Sequence, residues 1–99
     1  MQRTVYIVNR SSHDFSAAKD YGKLVYVTEG RVNRFATNDM VRIFSEAFKS
    51  SQPTDLIVLC SLSVMNSIAC AVFAVKHRRL NILLWKDKEG KYIERNHVL

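Results

Sequence analysis

Residues 55–77 run DLIVLC-SLSVMNS-IACAVFAVKH. DLIVLC is an apolar run that reads as a strand buried on both faces. SLSVMNS is a short polar turn, and IACAVFAVKH is a helix rising from it. A strand that feeds directly into a helix is half of a parallel β-α-β unit, because parallel strands need a crossover. The turn sets Ser61, Ser63, Asn66 and Ser67 at a helix N-terminus. Backbone N–H groups there lack intrahelical partners, so such a place can hold an anion. The helix is apolar nearly all round, with Ser67, Cys70, Ala71 and Ala74 as a stripe of small residues at helical spacing. That stripe is expected to pack close to the sheet; a seam between two copies of the chain is the alternative.

Upstream of this unit, SSQPTD separates it from an amphipathic segment over residues 39–49. Met40, Val41, Ile43, Phe44, Ala47 and Phe48 predict one covered helical face, with Arg42, Ser45, Glu46 and Lys49 opposite. Thr37 or Asn38 suits its N-cap, and Pro53 keeps it from restarting. Two β-branched and aromatic runs come earlier: TVYIVN at 4–9 and KLVYVTEG at 23–30, each predicting a strand. Between them, RSSHDFSAAKDYG predicts a loop with a helical turn or two, capped by Asp14 or Ser12 and closed by Gly22. Downstream, NILLW predicts a fourth strand, KDKEG a turn and KYIER a short final strand, together a β-hairpin. The charged last strand suits a sheet edge, where Lys and Glu discourage association.

The order strand, short helix, strand, helix, strand, helix, strand, strand predicts one α/β domain over residues 1–99. The expected form is a Rossmann-like or flavodoxin-like sandwich, with a mostly parallel four- to five-stranded sheet and an antiparallel C-terminal edge hairpin. A chain of 99 residues is enough for one domain and not for two. With hydrophobic residues at 47% and charged residues at 24%, disorder is excluded as the general state. The formal net charge of +6 favours polyanionic partners, although the cations are spread along the chain without a long run, as on an ordinary solvated surface. Cys60 and Cys70 lie in apolar surroundings without metal-ligand spacing and are expected to be buried, reduced residues, as suits a cytosolic protein. No apolar run has the length of a signal peptide's core or a bilayer span.

In such a sheet the C-terminal ends of the first three strands open on one edge, where ligands bind near the topological switch point. Strand one delivers Asn9, Arg10, Ser11, Ser12 and His13 to that edge. Strand two delivers Thr28, Arg31 and Arg34, and strand three Ser61, Ser63 and Asn66. Hydroxyls, amides and arginines in that mixture suit a phosphate or carboxylate. The plainer reading is that strand ends carry ordinary turn residues. Gly22, Gly30 and Gly90 form neither a GxGxxG nor a Walker pattern, so no standard dinucleotide or ATP site is expected. His13 with Ser61 or Ser63 is a conceivable base and nucleophile across the edge, but no G-x-S-x-G elbow supports it. His13 reads better as a turn histidine. His77 reads as a cation favoured by the helix C-terminus, and His97 as a tail residue.

The stretches VNRSSHDFSAAKDYG, LVYVTEGRVNRF and LSVMNSIACAVFAVKHRRLNILLW resemble small α/β proteins encoded by bacteriophages and related mobile elements. That resemblance implies a host-cytoplasm setting and a role in countering or redirecting host machinery. It carries over no active-site residue. The expected function is a small cytoplasmic binding protein that holds a phosphate-bearing, nucleotide-like ligand at the sheet edge. No catalytic residue, metal or cofactor is called for, and no membrane. A dimeric protein–protein interaction module is the second reading. A nucleic-acid binder is the third, using Arg10, Arg31, Arg34, Arg78, Arg79, Lys86, Lys88 and Lys91, with Phe35, Tyr21 and Tyr92 stacking. No helix-turn-helix, zinc finger or RNA-recognition signature accompanies these cations, and Arg78 and Arg79 are expected at the opposite end of the sheet from Arg10.

Overall fold

A computed structural model describes residues 2–99. Its strands are β1 (Thr4–Arg10), β2 (Lys23–Glu29), β3 (Leu56–Val58), β4 (Arg79–Lys86) and β5 (Lys91–Val98). Its α-helices are α1 (Thr37–Ala47) and α2 (Ser63–His77), with short 3-10 helices at Ser16–Tyr21 and Asp87–Glu89. One five-stranded sheet has the order β2-β1-β3-β4-β5. Its first four strands are parallel, and β5 returns antiparallel to β4. The mixed α/β sheet with an antiparallel C-terminal pair is therefore as the sequence predicts.

The chain leaves β1 toward one side to form β2, then crosses back beyond β1 to form β3. Right-handed crossovers under that reversal place the first connection on one face and the later ones on the other. The packing follows. On one face, Tyr6, Val8 and Ile57 meet Met40, Phe44 and Phe48 of the α1 segment and Met65, Ala69 and Phe73 of α2, all buried. On the other, Val5, Ile7, Leu56, Val58, Leu83 and Tyr92 are covered by Phe15 and Ala18.

Several element bounds differ from the sequence reading. β3 covers three residues, not 55–60. At its start, the Asp55 carboxylate accepts the Thr4 N–H at 2.9 Å and the Gln52 N–H at 2.7 Å. At its end, the Asn66 side chain accepts the Cys60 N–H and donates to the Cys60 carbonyl, both at 2.9 Å. The side chain takes up the backbone groups that a sheet would otherwise pair. α1 starts earlier, after Ala36, with neither Thr37 nor Asn38 as its N-cap. β5 runs on to Val98 because the hairpin register holds through Arg79↔Val98.

The small-residue stripe does not face the sheet. Met65, Ala69 and Phe73 do, while Ser67 and Ala71 are exposed and Cys70 and Ala74 half-buried. Both cysteines are free and half-buried, not fully enclosed. His77 also differs. Burial and Lys76 push its pKa below the usual histidine value, and its Nε2 lies 2.7 Å from the Ser51 hydroxyl. It joins the two helical segments with its ring on Phe73, at 4.5 Å between centroids, where burial works against the charge that the helix end favours.

Candidate functional site

The carboxyl ends of β1, β3 and β4 open on one edge, and a cleft of ≈ 310 Å³ lies there. It is on the face that carries the 3-10 helix. Its floor is Val58 and Leu83, its walls are the rings of His13, Phe15, Trp85 and Tyr92, and Ser11, Cys60 and Ser61 border it.

Local sequence explains each wall. After β1, Ser11 Oγ accepts the His13 N–H at 3.3 Å and Asp14 Oδ1 accepts the Ser16 N–H at 2.9 Å. These two side-chain turns swing the loop back over the sheet and bury Phe15. The bond from Ser16 also holds the Asp14 carboxyl below the usual range. From the hairpin, Trp85 and Tyr92 are direct cross-strand partners and project on the same side. Their rings meet edge to face at 4.9 Å. His13 fits between Trp85, at 5.2 Å, and Phe15, at 4.9 Å. Its Nε2 lies 3.4 Å from the Tyr92 hydroxyl. The Tyr92 backbone carbonyl accepts the Tyr21 hydroxyl at 2.9 Å, tying the 3-10 helix to β5. Burial first, then Asp14 and Tyr26, raise the Tyr92 pKa, so its hydroxyl keeps its proton.

Of the eleven predicted site residues, Ser11, His13 and Ser61 border the cleft. Ser12 is exposed on the same loop. Asn9 and Thr28 knit the ends of β1 and β2 instead. The Asn9 amide donates to Thr28 Oγ1 at 2.8 Å and to the Gly30 carbonyl at 3.1 Å, and Thr28 Oγ1 donates to the Val8 carbonyl at 2.8 Å. Arg10 lies over the Tyr26 ring at 4.6 Å and 3.7 Å from Glu29. Arg31 is exposed, and Arg34 lies over Phe35 at 5.1 Å in the connection after β2. Ser63 opens α2, and its carbonyl accepts the Ser67 hydroxyl at 3.0 Å. Asn66 holds the Cys60 turn, as described.

Sequence reasoning found the edge and missed its aromatic lining. Phe15 and Trp85 stood in segments read only as loop and strand, and Tyr92 was considered only for stacking on nucleic acid. The signal available was the hairpin itself, whose KDKEG turn pairs Trp85 with Tyr92 once the register is set.

The cleft offers flat ring walls, the hydroxyls of Ser11, Ser61 and Tyr92, an imidazole and a thiol. Such a set stacks a planar ring and hydrogen-bonds its edge. Among the described residues, no group of three or more His, Cys, Asp and Glu side chains gathers as a metal site. No helix of the described residues is long and apolar enough to cross a membrane.

The family model described as Phage Pam3 gp32-like protein matches residues 3–98. The match bears out the phage resemblance read from the sequence. No curated protein and no solved structure matches the chain.

Proposed function

We propose that this chain, which belongs to the phage Pam3 gp32-like protein family, is a small cytoplasmic binding protein for a nucleotide-like ligand. The observation that carries the reading is the ring-lined cleft at the carboxyl edge, between the connections that leave β1 and β3 for opposite faces. In open α/β sheets that crevice is the usual ligand position. The order β2-β1-β3-β4 with a final antiparallel strand supports the flavodoxin-like form of the doubly wound sheet. In this reading the ligand's planar ring lies among Phe15, Trp85 and Tyr92, and His13 closes over it. Its phosphate points out past Ser11 and Ser61, toward the uncapped start of α2.

Nucleic acid is less well supported. Arg10, Arg31 and Arg34 lie toward the carboxyl end of the parallel strands, whereas Arg78 and Arg79 precede or open β4 at the other end. A polyanionic strand would meet two separated groups of cations instead of one track.

The test is a thermal-shift screen with nucleobases, nucleosides and nucleoside mono-, di- and cyclic phosphates. A ligand present at 100 times its Kd should add about 2.7 kcal/mol of stability. Nucleotides are expected to raise the melting temperature, nucleosides to do so less, and inorganic phosphate alone not to. No shift with any of them at millimolar concentration would contradict the reading.

A further inference from the structure

The sheet has two edge strands, and they are finished in opposite ways. β5 carries Lys91, Glu94, Arg95 and His97 along its length. Charges of this kind keep an edge from pairing with another chain. β2, at the other end, has the sequence Lys23-Leu-Val-Tyr-Val-Thr-Glu29, with no charge between its terminal residues. Its five inner residues are all half-buried, although β1 covers only one side of the strand. Open grooves lie along both flanks of β2. One, of ≈ 510 Å³, runs between Val25, Val27 and the α1 residues Ile43 and Ala47. The other, of ≈ 490 Å³, runs along Gly22, Leu24 and Tyr26.

We infer that β2 is a self-pairing edge, joining two copies of this chain antiparallel along Lys23–Glu29 about a two-fold axis at Tyr26. Three independent features select the same register. Lys23 donates its N–H to the Arg3 carbonyl at 2.9 Å, so Lys23, Val25 and Val27 turn their backbone groups toward β1. By alternation, Leu24, Tyr26 and Thr28 turn theirs to the open edge. An axis at Tyr26 sets Tyr26 opposite the partner's Tyr26 and Leu24 opposite the partner's Thr28, so every open group finds an open group. A slip of one residue would oppose open groups with groups already used by β1. The side chains agree, since Val25 falls opposite the partner's Val27. The end charges decide among the registers that alternation allows, because only this one sets Lys23 opposite the partner's Glu29, twice by symmetry. Opposite charges directly across an antiparallel pair stabilise it, and like charges destabilise it. The occupant is therefore a second copy, and the contact is isologous and closes on itself.

Sedimentation analysis of the whole chain across concentration tests this. A reversible monomer–dimer equilibrium is expected. K23E and E29K each place two like-charge pairs across the contact and should weaken dimerisation roughly tenfold. The double exchange K23E/E29K restores opposite charges and should recover most of the affinity. Each variant's melting curve establishes that it is folded. In the wild-type dimer, the amides of Leu24, Tyr26 and Thr28 should gain protection from hydrogen exchange as concentration rises. A strict monomer at millimolar concentration overturns the inference. So does a dimer indifferent to all three charge variants, or one that leaves those amides open.

Discussion

Over the central strands β1 and β3, one face of the sheet is sealed and the other is not, although the same strands supply both. On the sealed face, two α-helical segments bring Phe44, Phe48 and Phe73 against Tyr6, and every one of these rings is buried. On the other, Phe15 and, from the six-residue 3-10 helix that follows it, Ala18 supply the buried cover. That cover ends before the carboxyl ends of β3 and β4, and the uncovered part is the cleft. Trp85 and His13 remain partly open there, while Leu83 beneath them is buried. The lesson is that a short connection after β1 positions a site by what it leaves uncovered.

The comparison breaks most readily with paired truncations. Phe73→Ala removes a ring with no exposure from the sealed face and should cost about 3–5 kcal/mol. Phe15→Ala, beside an open cleft, should cost about 2 kcal/mol, since solvent fills the space instead of a void. Denaturant unfolding of both variants checks the difference. Equal losses would mean that the two faces are packed alike.

Gly22 tests how firmly the short cover is held. A Cβ there would lie 2.3 Å from the Arg3 carbonyl oxygen, a backbone atom that cannot swing away. Gly22→Ala should cost about 1–3 kcal/mol by displacing the 3-10 helix from β1. A melting temperature equal to wild type would show that the connection is free to move.

The sealed face has a pH-sensitive joint. Burial pushes the folded pKa of His77 below the unfolded value near 6.5. The unfolded chain therefore takes the proton first as pH falls. The stability tied to this ring is full above that unfolded value and is lost as pH drops through the folded one. His77→Gln should flatten the decline between those limits, read by denaturant midpoints at several pH values. An unchanged pH profile would remove His77 from the account.

The smallest effect is at the end of α2. Arg78 is the only non-glycine with positive φ among the described residues, at 55°. Arg78→Gly relieves that conformation and should stabilise by about 0.5–1 kcal/mol. A destabilised variant would show that the arginine side chain outweighs its backbone strain.

Much of this was legible in the sequence. The continuous apolar runs TVYIVN and DLIVLC marked strands covered on both faces, and the spacing of Met40, Phe44 and Phe48 marked the helix over them. Parallel direction followed from the helical connections, so the common edge was predictable. The site's composition was not. Serines, asparagine and arginines drew attention as polar residues, but Asn66, Asn9 and Thr28 are engaged in holding the backbone. Their bonds depend on tertiary neighbours, which no spacing reveals. The aromatic wall was hidden for the converse reason: Phe15 and Trp85 look like core residues until the short cover stops before the strand ends.

The sharpest test uses Trp85, the only tryptophan of the chain, which stands in the cleft wall. A planar ring stacking there must alter its emission. Titration with nucleotides should give saturable quenching or a spectral shift, lost in Phe15→Ala and weakened in Tyr92→Phe. Unchanged Trp85 emission alongside a ligand that does raise the melting temperature would place binding elsewhere and contradict the account.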